Sequence, residues 1–120
     1  MKKKLLVVDD EPHIRMLYQD ELQNEGYAVA ISDGQESIMA AIEREKPDLV
    51  VLDIKLGAVS GLDLLQTIRA ENSTLPVVLS TAYDSFQYDL KSIAADAYCV
   101  KSVDLTTLKD TVKDILEKAE

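Results

Sequence analysis

The chain has 120 residues, 47% apolar and 29% charged, the size and composition of one folded domain and not of a disordered chain. A formal net charge of −9, with Lys2-Lys3-Lys4 as the only basic run, excludes nucleic acid as a direct partner, because no basic stripe displaces counterions from phosphates. The single cysteine, Cys99, excludes an intramolecular disulfide, and no apolar stretch approaches the roughly 20 residues of a spanning helix. With no apolar leader segment at the N-terminus and one lone thiol, a cytoplasmic protein without a membrane partner is expected.

Leu5-Leu6-Val7-Val8 is a continuous apolar run, the pattern of a strand buried on both faces, and it ends on Asp9-Asp10-Glu11. Pro12 suits the first turn of a helix. Ile14, Leu17, Tyr18 and Leu22 supply the inward face of that helix, and Gly26 its C′ stop. Residues 28–31 predict a second strand. Asp33-Gly34-Gln35-Glu36 reads as an N-cap with an acidic partner three residues on, opening a helix with Ile38, Ala41 and Ile42 inward.

Leu49-Val50-Val51-Leu52 is the third strand, and it closes on Asp53. Ser60 is expected to cap a third helix with Leu64, Leu65 and Ile68 inward. Pro76 leads into a fourth strand, Val77-Val78-Leu79-Ser80, and a fourth helix is predicted from about Asp84 through Phe86, Leu90 and Ile93. Ala97-Tyr98-Cys99-Val100 is the fifth strand, with Cys99 as a small core residue. Asp104 is expected to cap a last helix whose face is Leu105, Leu108, Val112 and Ile115.

Strict alternation of five strands with five helices means right-handed crossovers and a doubly wound parallel sheet, with helices on both faces. Residues 1–120 read as one domain with nothing appended. Parallel strands send their carboxyl ends to one edge, where open α/β sheets place their ligands. That edge collects Asp9, Asp10, Asp53, Thr81 and Lys101.

Two carboxylates about 4 Å apart repel by roughly 4 kcal/mol at an effective dielectric near 20. Three of them call for a cation, and hard oxygen ligands suit Mg²⁺, which binds through carboxylates, waters and phosphate oxygens. Lys101 supplies a second positive charge and Thr81 a hydroxyl donor. A carboxylate in this company attacks phosphorus, so the edge predicts an aspartyl phosphate on Asp53. Taken singly, Asp9 and Asp10 suit a helix cap and Asp53 a turn. The combination carries the reading, because separate strand ends deliver complementary groups.

Val7-Val8-Asp9-Asp10-Glu11, Asp53-Ile54 with Gly61 eight residues after the aspartate, Ser80-Thr81-Ala82 and Tyr98-Cys99-Val100-Lys101 resemble the receiver domains of two-component response regulators, over residues 4–117. The resemblance implies a flavodoxin-like, CheY-like strand order 2-1-3-4-5 and a signalling domain that assists its own phosphorylation and dephosphorylation. Asp53 would accept phosphoryl from a sensor histidine kinase or a histidine phosphotransfer protein. Asp10 most directly, with Asp9, Asp53 and the backbone carbonyl of Lys55, would hold Mg²⁺. Lys101 would contact the phosphoryl group. Thr81 and Tyr98 would form the switch that alters the face of the fourth helix, fifth strand and fifth helix. That face would bind a downstream protein or output domain, or a second copy of the chain on phosphorylation; no output domain is expected within these residues.

Three positions depart from the family pattern. Ser102 follows Lys101 where proline is usual, and a cis bond there is costly without it. Gly57 stands where proline is frequent and predicts a more mobile loop. Asp96 replaces a frequent glycine and is expected to be harmless, since Asp tolerates the left-handed conformation. Lys55 and Tyr83, two residues past Asp53 and Thr81, are expected to shield the acyl phosphate from water and lengthen its life.

Three rival readings share part of this pattern. A flavin or nucleotide binder is disfavoured because Asp9-Asp10-Glu11 repels an anion. A haloacid-dehalogenase-type phosphohydrolase needs a second acid two residues after the nucleophile, where Lys55 stands. A phosphorylation-independent interaction module on the same fold is the remaining alternative.

Overall fold

In the computed structural model, residues 2–81, 95–101 and 105–118 are described. The four apolar runs and the Ala97 segment become a five-stranded parallel sheet built from β1 (Lys4–Val8), β2 (Ala28–Ser32), β3 (Leu49–Leu52), β6 (Val77–Thr81) and β7 (Ala97–Val100), while β4 (Lys55–Leu56) and β5 (Val59–Ser60) form a small hairpin after β3. The sheet order is β2-β1-β3-β6-β7, all pairs parallel, which is the flavodoxin-like order expected. Four helices are described: α1 (Pro12–Asn24), α2 (Ile38–Glu45), α3 (Gly61–Glu71) and α4 (Thr106–Lys118). The helix predicted from Asp84, the Asp104 cap, Tyr83 and Ser102 lie outside the described residues.

Side chains of a strand alternate between faces, so each strand feeds two separate cores. Leu6, Val8, Val50, Leu52, Val77 and Leu79 meet α2 and α3 on one side. Leu5, Val7, Leu49, Val51, Val78 and Cys99 meet α1 and α4 on the other. This double burial is why the strands read as continuous apolar runs.

Several local expectations are corrected. Leu17 is 37% exposed, because the buried stripe of α1 runs through Ile14, Tyr18 and Leu22 and Leu17 sits about 100° off it. α2 begins later than predicted: Ser37 is the N-cap and accepts from the Ala40 N–H at 3.3 Å. Asp33 instead turns the preceding loop, accepting from the Gln35 N–H at 2.9 Å, and Glu36 pairs with Arg44 at 2.8 Å. Ser60 occupies the N-cap position of α3 but makes no side-chain cap bond.

The loop carrying Gly57 is tied into the β4–β5 hairpin. Leu56 pairs with Val59 across a two-residue turn in which Gly57 has φ +64° and Ala58 does not enter positive φ. That is the sign pattern of a II′ turn, and proline, fixed near −65°, cannot take the first position. Asp96 is not left-handed; Lys46 is the one described non-glycine residue at positive φ. The Asp96 carboxylate instead accepts from the Val77 N–H and from Arg69, each at 2.8 Å, joining the end of α3 to the start of β6.

Candidate functional site

Register brings the carboxylates together. Val8 and Leu52 are paired in β1 and β3, so Asp9 and Asp53 leave the sheet side by side. The ladder continues past both, with the Asp53 N–H donating to the Val8 carbonyl at 2.9 Å and the Asp9 N–H to the Ser32 carbonyl at 3.1 Å. The place where they meet lies between β1 and β3, the point at which the strand order reverses.

Asp9 and Asp53 are buried, and Lys101 lies between them. Its Nζ is 2.7 Å from Asp9 Oδ2 and 3.0 Å from Asp53 Oδ2. The other oxygen of Asp9 accepts from the Glu11 N–H at 2.9 Å, and that of Asp53 from the Lys55 N–H at 3.4 Å. Neither Asp9 nor Asp10 caps α1, since the N-cap residue is Glu11 and no side-chain cap bond is made. Asp10 is half-buried, and its side chain has no hydrogen bond or ion pair among the described residues.

Burial pushes the Asp53 carboxyl above its ordinary range, against the hydrogen bond and charge of Lys101, and the Asp9 charge adds to the push. Burial works against the charge on Lys101 as well, but its bonds and charge interactions with Asp9 and Asp53 outweigh that and hold the ammonium above its usual value. The ammonium is therefore secure, and it faces two buried carboxylates with a third nearby.

Carboxylate oxygens of Asp9, Asp10 and Asp53 lie within 4.8 Å of one another. Three hard oxygen donors, with one fixed cation among them in the described residues, form a set that fits a divalent ion such as Mg²⁺. A separate cleft of about 710 Å³ follows the outer edge of β2 past Lys4, Tyr27 and Glu45, away from these groups.

The other expected residues fall as follows. Lys55 is exposed beside the cluster. Thr81 is placed by its backbone, paired with Val100 one residue before Lys101. Tyr98 is half-buried and packs against the core under α2 and α3. Sequence reasoning missed Arg15, whose guanidinium donates to the Asp9 backbone carbonyl at 2.8 Å and holds the acidic loop from α1. A cation one turn into a helix that follows an acidic loop is the only signal that could have found it. It also missed the hydroxyl of Tyr18, read only as part of an apolar face.

Fold and site together define a doubly wound α/β domain with a cation-bridged acidic cluster at its switch point. A family model for the response regulator receiver domain matches residues 5–113. The chain belongs to this family and is a receiver domain of two-component signalling. It is 37% identical to the alkaline phosphatase synthesis transcriptional regulatory protein PhoP of Bacillus subtilis, over 100% of this chain and 51% of that protein. It is 29% identical to sporulation initiation phosphotransferase F of the same organism, over 97% of this chain and 95% of that one. The chain thus spans about half the length of the transcriptional regulators it matches. Among solved structures, the response regulator TrrA of Thermotoga maritima in complex with Mg²⁺-BeF superposes with a TM-score of 0.90 at 42% identity, covering 94% of this chain and 98% of that one. TrrA in complex with the histidine kinase ThkA gives 0.88 at 41% identity, covering 95% and 98%. No helix among the described residues is long and apolar enough to cross a membrane.

Proposed function

We propose that the domain is a phosphoryl-accepting switch in which Asp53 takes a phosphoryl group from a phosphohistidine, on a sensor kinase or a histidine phosphotransfer protein. The observation that carries this reading is the Lys101 ammonium poised 2.7 Å from Asp9 and 3.0 Å from Asp53. An Asp53 oxygen attacks phosphorus, the O–P bond forms as the P–N bond breaks, and the imidazole leaves as a neutral ring keeping the proton on its other nitrogen. Lys101 faces the incoming negative charge and is already desolvated, so little reorganisation is needed. Asp10 foremost, with Asp9, Asp53 and the backbone carbonyl of Lys55, would hold Mg²⁺. When bound, that ion supplies further positive charge against phosphoryl oxygens. The Mg²⁺-BeF complex of TrrA supports this assignment.

Thr81 and Tyr98 are the proposed switch. Thr81 pairs with Val100, and Leu79 with Tyr98, so the end of β6 and the strand carrying Tyr98 form one ladder. A shift of Thr81 toward the phosphoryl group would be passed to Tyr98, altering the face built by the predicted fourth helix, β7 and α4. That face is the proposed docking surface for a downstream protein or output domain, or for a second copy of the chain. Kinase binding is supported by the TrrA–ThkA complex.

The test is incubation with acetyl phosphate or phosphoramidate and Mg²⁺, followed by intact mass. Addition of one phosphoryl group, absent in Asp53→Asn, is expected. An unchanged mass in the wild type would favour the phosphorylation-independent interaction module instead.

A further inference from the structure

The layer between the sheet and α1 is built from Leu5, Val7, Leu22, Leu49, Val51 and Val78, all apolar. At its upper end, directly under the acidic cluster, two hydroxyls interrupt it. Tyr18 and Ser80 are each only 2% exposed, and Tyr18 Oη lies 3.1 Å from Ser80 Oγ. Burial keeps the Tyr18 hydroxyl in its neutral form, and the charges of Lys101, Asp9 and Asp53 all reach it. An apolar pair would fill this volume without the desolvation cost of two buried hydroxyls. What a buried polar pair adds is a directional tie.

The tie falls at one rung of the ladder. Ser80 is paired with Cys99 across β6 and β7, and Cys99 Sγ lies 3.7 Å from Thr111 Oγ1 of α4. Both members of this rung are thus held to a helix by a polar contact. The next residue of β6 is Thr81, and Lys101 is two residues beyond Cys99.

We propose that Tyr18 and Ser80 are a positioning pair for phosphoryl acceptance: their hydroxyl contact fixes the carboxyl end of β6 against α1, and so fixes Thr81 and Lys101 relative to Asp53. The inference rests on Asp53 being the phosphoryl acceptor. Neither residue touches the reacting atoms. Their action is to hold the strand ends within the narrow geometry that transfer requires.

The experiment uses the full chain with acetyl phosphate and saturating Mg²⁺, following phosphorylation by intact mass well below the unfolding temperature. Tyr18→Phe and Ser80→Ala are each expected to slow acceptance by about threefold to tenfold, the size of one net hydrogen bond. The double variant should be no slower than the slower single one, and Ser80→Thr, which keeps the hydroxyl, should return the rate to within about twofold of wild type. Mg²⁺ affinity should not move, because Asp9, Asp10, Asp53 and the Lys55 carbonyl are all untouched. If Tyr18→Phe fails to fold, the comparison of Ser80→Ala with Ser80→Thr decides. Single-variant rates within about twofold of wild type, losses that multiply in the double variant, or no rescue by threonine would overturn the pairing alone. A wild type that takes no phosphoryl group would overturn the acceptor reading and the pairing with it.

Discussion

Gly61 lies against the backbone carbonyl of Asp53 with no room for a β-carbon between them. Its N–H donates to the Ile54 carbonyl at 2.6 Å, so α3 starts directly on the backbone of the proposed acceptor. Gly61→Ala must displace that backbone, because the obstructing atoms are main chain and have no rotamer to escape into. A loss of about 1–3 kcal/mol is expected from overpacking. Urea denaturation measures it, and phosphorylation by acetyl phosphate should fall by more than the unfolded fraction explains.

Asp53 contributes to stability with a sign opposite to that of a surface carboxylate. Its pKa is raised by burial, so the fold favours the protonated form. That contribution is fully present below the ordinary carboxylate range and is lost as pH rises through the raised folded value. At pH 7 in EDTA, Asp53→Asn is therefore expected to melt a few degrees above wild type, with the gap closing in acid. A wild type more stable than Asp53→Asn at pH 7 would refute this.

Lys101 is the one cation bridging Asp9 and Asp53 among the described residues. Replacing it with methionine strands two buried anions, and removal of one partner of such a set costs about 3–5 kcal/mol. Lys101→Met should melt lower in EDTA and recover part of the loss when Mg²⁺ is added, since a ligand that binds only the folded state stabilises it. A thermal melt with and without Mg²⁺ shows whether the ion substitutes for the ammonium.

Asp10 makes the complementary case. With no partner among the described residues, its side chain has little to lose in the absence of metal. Asp10→Asn should melt within about 1 kcal/mol of wild type in EDTA yet lose most of the Mg²⁺-dependent stabilisation. Equal Mg²⁺ responses in the two proteins would remove Asp10 from the ligand set.

Asp96 holds two donors with one oxygen, the Val77 N–H and the Arg69 guanidinium. Asp96→Ala leaves the Val77 N–H without that partner and should cost about 1–3 kcal/mol, with Asp96→Asn losing less. Hydrogen exchange at Val77 should quicken in the alanine variant.

The strands and the cluster were legible because they rest on long-range order that the chain repeats. Apolar runs ending at Val8, Leu52 and Val100 each hand over to a charged residue, and parallel pairing then does the gathering. What escaped was local hydrogen-bond competition. Asp33 and Ser37 are both good caps, and nothing in composition shows that Asp33 is spent on Gln35 while Ser37 serves Ala40. The β4–β5 hairpin has only two residues per strand, too few for alternation to register. The backbone preference of Asp96 carries no signal of its role, because its side chain is what the fold uses. Spacing alone admits Leu17 beside Tyr18 on the inward face, and only the width of the stripe decides.

Tyr98 and Cys99 are consecutive residues that belong to opposite cores. Side chains cannot pass through a sheet, but a displacement of its backbone can. Among the described residues β7 has a single neighbour, β6, so it is less encumbered than the interior strands. A lateral step of β7 in the proposed switch would therefore act like a lever with a foot in each compartment, pressing on the α2–α3 side through Tyr98 and on α4 through Cys99. In the proposed switch, a local event at Lys101 would in this way be delivered to both sides of the sheet at once.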